Sequence, residues 1–117
     1  AEALIMRPSP DLNAAANIID EIRAKRKLAK LPTSVKGNKE DMINVLLKER
    51  RMELAFEGER WFDLVRLDKV ESVMNAVYAK DSGRRARVEK FTEDSYRLPI
   101  PLGVLQSNSN MFQNKGY

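Results

Sequence analysis

A dense mixture of large apolar and charged residues runs from Leu46 to Leu67, LLKERRMELAFEGERWFDLVRL. The stretch contains no Pro and a single Gly, Gly58, and most of its other residues favour the helix. An interior Gly weakens a helix and permits backbone angles that other residues avoid. The pattern therefore predicts two helices that are joined or kinked at Gly58.

The charges in this stretch follow the helical repeat. Acids recur four positions apart beside arginines, which predicts ion pairs of Glu53 with Arg50, Glu57 with Arg60, and Asp63 with Arg60 and Arg66. The large apolar side chains between them are expected to be buried: Leu54, Phe56, Trp61 and Phe62. Half-buried charges must be paired, because an unpaired one is costly. We interpret the stretch as a structural ion network beneath an aromatic cap, with catalytic carboxylates as the alternative.

Helix signals also precede this stretch. Residues 1–7 are expected to end a helix at Pro8, and Ser9 and Pro10 predict the N-cap and first position of a helix over residues 10–27. The apolar positions of this second helix recur with helical period, at Leu12, Ala15, Ala16, Ile19 and Ile22, and Ile18 widens the face. Small residues on both helices allow a close approach. The pair is therefore typical of a hairpin in a tetratricopeptide-like array.

Two groups of basic residues need an explanation. Arg23, Lys25, Arg26, Lys27 and Lys30 suit the negative end of a helix dipole, so we expect a solvated helix end. Arg84, Arg85 and Arg87 lie in a polar stretch over residues 80–93 that we expect to be a surface loop. Contact with phosphate or nucleic acid is the alternative for both groups.

Two more helices and a tail complete the prediction. Asn38 is expected to cap a helix over residues 39–57. A shorter helix over residues 69–79 should bury Val70, Val73, Met74, Val77 and Tyr78. The irregular tail from Ser95 is expected to lie over the helices, anchored by Leu98, Ile100, Leu105, Phe112 and Tyr117. The predicted fold class is all-α: tetratricopeptide-like helix pairs with a long irregular C-terminal tail packed over them.

Length and composition narrow the possible functions. A chain of 117 residues with 43% hydrophobic and 32% charged residues fits a single helical domain over residues 1–117. The absence of His and Cys excludes Ser–His and Cys–His catalytic groups and imidazole or thiolate metal sites. We predict no catalytic residue, no metal site and no cofactor. The net charge of +4 is dispersed along the chain. Because the chain starts within an apolar helical segment, we expect it to be a fragment of a longer protein.

The central motif resembles a known family. ERRMELAFEGERWFDL, followed by Leu98-Pro99-Ile100-Pro101 and by Asn114-Lys115-Gly116-Tyr117, is similar to the C-terminal end of the SusD/RagB family of outer-membrane lipoproteins. The resemblance covers nearly the whole chain, and the order of the three motifs is specific. Glu59 stands where His or Lys is often found in the family, and the segment before the last residue is a looser version of the usual tail.

The resemblance implies a non-enzymatic function. It implies binding of glycans or other oligomeric nutrients at the bacterial surface and their delivery to a SusC-like, TonB-dependent transporter. It also implies an outer-membrane lipid anchor on an N-terminal Cys, which this chain does not contain. The ligand surface of the family lies largely upstream, so the ligand-binding residues stay unknown. Trp61 is expected to pack in the core, and Tyr78, Phe91 and Tyr96 are candidate exposed platforms for sugar rings.

Two other functions stay open at this point. An independent tetratricopeptide-like protein-interaction module would have a complete N-terminal helix cap and a concave groove within these residues. A basic nucleic-acid-binding domain would bind with steep salt dependence through Arg84, Arg85 and Arg87. We expect no nucleic-acid partner, because neither stacking aromatic residues nor a groove-entering helix accompanies these arginines.

Overall fold

The computed structural model of the protein describes residues 1–80 and 90–117. Within these residues the chain forms no β-strand, and the prediction of an all-α fold is confirmed. The helices are α1 (Glu2–Met6), α2 (Leu12–Lys25), α3 (Lys39–Glu53), α4 (Arg60–Arg66), α5 (Val70–Lys80) and α6 (Leu102–Ser107). The chain divides into two compact units: the first unit, Ala1–Arg60, and the second unit, Trp61–Tyr117. That residues 1–117 form a single domain stays a prediction.

The first unit is built by aliphatic packing among α1, α2 and α3, each of which contacts the other two. α2 turns Ala15, Ala16 and Ile19 inwards, and the alanines let its backbone approach its neighbours closely. The other helices contribute buried aliphatic side chains: Ile5 from α1, and Met42, Ile43, Leu46 and Leu47 from α3. The hairpin of α1 and α2 predicted from the small residues is therefore present.

The start of α2 differs from the prediction. The N-cap is Asp11 rather than Ser9, and its Oδ1 accepts a hydrogen bond from the N–H of Ala14 at 2.9 Å. Asp11 also forms a 3.3 Å ion pair with Arg7. Aspartate is as good a cap as serine, and its charge suits the positive end of the helix. The helix therefore begins at Leu12 and not at Pro10.

A buried aspartate ties α2 to the connection that follows it. Asp20 Oδ1 accepts a hydrogen bond from the N–H of Leu31 at 2.7 Å, and Oδ2 accepts one from Lys36 Nζ at 3.2 Å. Burial raises the pKa of Asp20, but these hydrogen bonds and the charge of Lys36 outweigh burial, so that its pKa lies below the ordinary value of 3.8. The ionised carboxylate thereby fixes the connection between α2 and α3.

α3 begins as predicted and ends early. Asn38 is the N-cap, and its Oδ1 accepts hydrogen bonds from the N–H groups of Glu40 at 2.8 Å and Asp41 at 3.2 Å. The helix stops at Glu53 rather than at residue 57. Beyond it, Phe56 and Gly58 both adopt positive φ, at 69° and 82°. The predicted break at Gly58 is confirmed, but it begins several residues earlier.

The second unit has a small apolar core at α4 and α5. Leu64, Leu67 and Val70 are buried there. Asp63 is buried as well, and its Oδ1 accepts a hydrogen bond from Arg66 Nη2 at 2.6 Å. This contact confirms the predicted ion pair three positions apart.

The predicted apolar stripe of α5 is only partly buried. Val70 is inaccessible, Val73, Met74 and Tyr78 are half-buried, and Val77 is exposed. A stripe read from the sequence shows which side chains share a face. It does not show whether a neighbouring element covers that face.

Side-chain amides hold two parts of the tail to each other. Gln113 accepts a hydrogen bond from the N–H of Ile100 at 2.8 Å and donates to its carbonyl at 3.0 Å. Asn114 donates to the carbonyl of Leu98 at 2.6 Å. Among the predicted anchors Ile100 and Leu105 are half-buried, but Leu98, Phe112 and Tyr117 are exposed. The apolar-anchor prediction is therefore wrong for these three residues.

Candidate functional site

An open groove lies among the three helices of the first unit, with a volume of about 440 Å³. Its aliphatic lining comes from Ile18, Ile19 and Ile22 on α2 and from Leu46 and Leu54 on and after α3. The first turn of α1 closes one end with two alanines, Ala1 and Ala3. We call this feature the apolar groove. Ile18 and Ile22 are 39% and 42% exposed in it, so the wide apolar face of α2 extends beyond what α1 and α3 cover.

Three acids line the apolar groove, and arginines at the end of α2 form ion pairs with two of them, Glu49 and Glu53. Arg23 Nη1 donates to Glu49 Oε1 at 2.5 Å, and Arg26 Nε donates to Glu53 Oε2 at 3.1 Å. A second donation, from Arg26 Nη2 to Glu53 Oε1, makes that pair bidentate. The hydrogen bonds lower the pKa of Glu53 and raise the pKa of Arg26. Glu49 and Glu53 therefore serve as structural contacts between α3 and the end of α2.

These partners differ from the predicted ones. The spacing along α3 predicts Arg50 as the partner of Glu53, whereas the observed contact is with Arg26, the C-cap of α2. Arg23 also donates to the carbonyl of Ala29 at 2.7 Å. Arg23 is half-buried in this inter-helix contact, whereas Lys25, Arg26, Lys27 and Lys30 are exposed, as expected for a solvated helix end. Helical spacing reveals only pairs on one helix, so sequence reasoning had no signal for a pair between helices.

Three aromatic side chains form a cluster in the second unit, the aromatic cluster of Trp61, Tyr78 and Phe91. The ring centroid of Phe91 lies 6.2 Å from that of Trp61 and 5.1 Å from that of Tyr78, with interplanar angles of 57° and 56°. Tilted pairs at these distances are favourable contacts. All three residues are half-buried. Trp61 therefore packs against a neighbour but is half-buried rather than buried in the core as predicted, and Tyr78 and Phe91 are not the open platforms that the resemblance suggested.

Asn75 on α5 fixes the backbone of Phe91, one member of the aromatic cluster. Its Nδ2 donates to the carbonyl of Phe91 at 2.9 Å, and its Oδ1 accepts a hydrogen bond from the N–H of Phe91 at 2.8 Å. One amide thus satisfies both backbone groups of a residue outside any regular element. The sequence offers no signal for this contact, because the two residues are far apart along the chain.

Tyr96, the third candidate platform, is tied down by its hydroxyl group. The hydroxyl donates to Asp68 Oδ1 at 2.7 Å. This hydrogen bond, together with burial and the charges of Asp68, Glu71 and Glu93, raises the pKa of Tyr96 to about 12. The phenol is therefore a neutral structural donor at physiological pH, and its half-buried ring is not a free stacking surface.

The aromatic rings that are open to solvent lie elsewhere. Phe62 is 68% exposed, Phe112 is 85% exposed and Phe56 is fully exposed. The prediction that Phe56 and Phe62 are buried is wrong. The sequence contains one indication that Phe62 is exposed. Phe62 is adjacent to Trp61, and adjacent residues of a helix point about 100° apart. One packing partner therefore rarely covers both side chains.

The predictions about metals and nucleic acid remain to be compared with the structure, as does the length of its helices. No group of three or more His, Cys, Asp or Glu side chains is arranged to hold a metal ion within residues 1–80 and 90–117. Arg84, Arg85 and Arg87 lie outside the described residues, so the loop and its nucleic-acid alternative stay predictions. In the described part of the chain, every helix is too short or too polar to cross a bilayer.

Known proteins similar to this chain agree with the resemblance noted from its motifs. The model of the SusD family matches residues 1–117. SusD-like protein P38 of Formosa agariphila is 32% identical over 123 residues, which cover 100% of this chain and 22% of that protein. SusD-like protein P2 of the same organism is 34% identical over 79 residues, which cover 67% of this chain and 15% of that protein. The chain thus spans less than a quarter of the length of either relative. No solved structure matches it significantly.

Proposed function

The chain belongs to the SusD family, and we propose that it is the helical scaffold of a non-enzymatic protein that binds glycans or other oligomeric nutrients at the bacterial surface. In this proposal the whole protein is anchored to the outer membrane by a lipidated N-terminal Cys outside this chain. It passes its ligand to a SusC-like, TonB-dependent transporter. The observation that carries the proposal is the family match over residues 1–117.

The contacts within the chain support a scaffold role. The acids Glu49 and Glu53 are bound by arginines, Asp63 by Arg66, and the hydroxyl of Tyr96 by Asp68. Groups that are committed to internal contacts hold elements in place and leave the ligand surface to other regions. Among the described residues, the rings of Phe62 and Phe112, like those of Phe56 and Tyr117, are exposed and offer an open aromatic face for a sugar.

Isothermal titration calorimetry tests the binding function. The longer protein that contains this chain is titrated with a panel of oligosaccharides, and the matching monosaccharides are the control. We expect saturable heat with at least one oligosaccharide, and no increase in reducing ends after prolonged incubation. Cleavage of the ligand, or the absence of binding across a panel of neutral and acidic oligosaccharides, would contradict the proposal.

Two classes of variant test whether this chain only supports the ligand-binding regions or contacts the ligand directly. Met42→Ala, in the core of the first unit, should lower the amount of folded protein while the folded fraction keeps its affinity. Phe62→Ala and Phe112→Ala should leave both quantities unchanged if other regions hold the glycan. A tenfold or greater loss of affinity in either Phe variant, about 1.4 kcal/mol, would show that this chain contacts the ligand itself.

Co-purification tests the transporter partner. The longer protein is tagged and extracted from the outer membrane in mild detergent, with an unrelated lipoprotein tagged in the same way as the control. We expect a TonB-dependent transporter in stoichiometric amount with the first protein and not with the second. Its absence from both preparations would contradict the delivery step and leave glycan binding untouched.

A further inference from the structure

We infer that residues 113–117 act as a strap, which closes on residues 94–100 and opens without unfolding the core of the second unit. We call residues 113–117 the strap. Both segments lie in the second unit. The contacts that form the strap are internal to this unit, so the device is separate from the proposed glycan binding.

Side-chain amides align the strap with the segment that it covers. Gln113 spans the backbone of Ile100, because its Oε1 accepts a hydrogen bond from the N–H at 2.8 Å and its Nε2 donates to the carbonyl at 3.0 Å. The next residue, Asn114, donates to the carbonyl of Leu98 at 2.6 Å. Pro99 lies between these two partners and has no N–H, which interrupts a regular β-ladder. The amides therefore take the place of a ladder.

Gly116 lets the end of the strap close. Its φ is 97°, in the left-handed region that residues with a side chain avoid. A Cβ at this position would lie 3.0 Å from the Cβ of Asp94, whereas carbon atoms in favourable contact are roughly 3.5–4.0 Å apart. The backbone conformation and the close approach to Asp94 thus require glycine independently of each other.

The strap contributes little apolar burial. Tyr117 is its one large apolar side chain and is 57% exposed. Lys115 forms a 3.5 Å ion pair with Asp94, but its side chain is 88% exposed, so the pair adds little stability. In contrast, Leu64 in the core of the second unit is almost inaccessible. A segment that is held by a few hydrogen bonds opens at a lower free energy than a packed core. The strap should therefore detach while the core stays folded.

Amide hydrogen exchange of the 117-residue protein, followed by NMR, tests the inference. The N–H of Ile100 reports on the strap, because Gln113 accepts its hydrogen bond. The N–H of buried Leu67, which donates to the carbonyl of Asp63 at 3.2 Å, reports on the core. After correction for intrinsic rates, we expect Ile100 to be protected but to exchange about tenfold or more faster than Leu67. Equal protection of the two amides, or no protection of Ile100, would overturn the inference.

Matched glycine variants locate the closing contact. Gly116→Ala adds a Cβ against Asp94 and strains a positive φ, so it should speed exchange at Ile100 about tenfold and leave Leu67 unchanged. Gly103→Ala in α6 adds a Cβ with no atom within 4 Å and should leave both amides unchanged. Unchanged exchange at Ile100 in Gly116→Ala, or equal acceleration at Leu67, would refute the strap.

Two further variants show whether the strap closes as one unit. Asn114→Ala removes the hydrogen bond to Leu98 and leaves the N–H of Ile100 with its acceptor, yet it should also speed exchange at Ile100. Lys115→Gln removes only the exposed ion pair and should change this rate less than about twofold. Acceleration by Lys115→Gln alone would mean that the ion pair closes the segment, and that the amide-held strap is wrong.

Discussion

The first and second units are stabilised by different kinds of interaction. The first unit packs three helices around buried aliphatic side chains such as Met42 and Leu46. The second unit buries fewer apolar residues and fixes its irregular segments through the amides of Asn75, Gln113 and Asn114. A helix pairs its own backbone groups, whereas an extended segment must find partners for them elsewhere. We therefore expect the loss of buried apolar volume to destabilise the first unit most. The loss of a single side-chain amide should destabilise the second unit most.

The largest expected effect is a cavity in the first unit. Met42 is completely buried, and Met42→Ala should lower the free energy of unfolding by about 2–5 kcal/mol, because the cavity left behind cannot close fully. Urea denaturation followed by far-UV circular dichroism measures the loss. Met52→Ala, on the same helix at a 50% exposed position, is the control and should change stability by less than about 0.5 kcal/mol. Equal losses in the two variants would mean that the first unit has no tightly packed core.

The second prediction removes an amide from the second unit. Asn75→Ala leaves both backbone groups of Phe91 without their partner and should cost about 1–3 kcal/mol. Trp61, the single tryptophan, lies 6.2 Å from Phe91, so its fluorescence reports the loss in this unit. Asn44→Ala on the exposed side of α3 is the control. If the fluorescence transition of Asn75→Ala coincides with that of the wild type, the amide does not hold the aromatic cluster.

A smaller effect, dependent on pH, is expected for Tyr96→Phe. The variant loses the 2.7 Å hydrogen bond to Asp68 and should be less stable by about 0.5–1.5 kcal/mol at neutral pH. The folded-state pKa is raised from 10.0 to about 12, so the contribution is complete below pH 10 and declines as the pH rises through about 12. Urea denaturation of both proteins across this range measures the difference in stability, with Tyr117→Phe as the exposed control. A difference that stays constant up to pH 12 would contradict the assigned hydrogen bond.

The smallest effect is expected where the first unit ends. Phe56 is fully exposed and has a φ of 69°, a region that bulky residues disfavour and glycine adopts without strain. Phe56→Gly should leave stability unchanged or raise it by up to about 1 kcal/mol. Phe56→Ala is the control, because it removes the ring and keeps the strain. A loss above about 1 kcal/mol in both variants, measured by urea denaturation, would show that the ring is buried in solution.

Local chemistry allowed much of the helical structure to be predicted. The cap at Asn38, the stop at Pro8 and the break at Gly58 depend on residues within a turn of each other, and the structure has all three. The apolar repeat of α2 correctly placed Ala15 and Ile19 inside. In the same helix a carboxylate displaced the predicted serine cap, because two good capping residues stood two positions apart.

The candidate site could not be predicted in the same way. The contacts of Arg23 with Glu49 and of Asn75 with Phe91 join residues far apart in sequence, and no periodicity encodes them. The sequence shows that Ile18 widens the apolar face of α2. It does not show whether another element covers that wider face. The predicted burial of Phe62 is wrong for the same reason. Hydrophobicity favours burial, but whether a side chain is buried depends on the elements that pack against it.

The amides of the second unit also expose it to slow chemical ageing. Asparagine is a thermolabile residue, and deamidation in water replaces its N–H donors with a carboxylate oxygen. At Asn114 that oxygen would face the carbonyl of Leu98, and at Asn75 the carbonyl of Phe91 would lose its donor. Asn38 only accepts hydrogen bonds at its cap, so the same reaction there is tolerated. Stored protein should therefore lose order in its C-terminal half first.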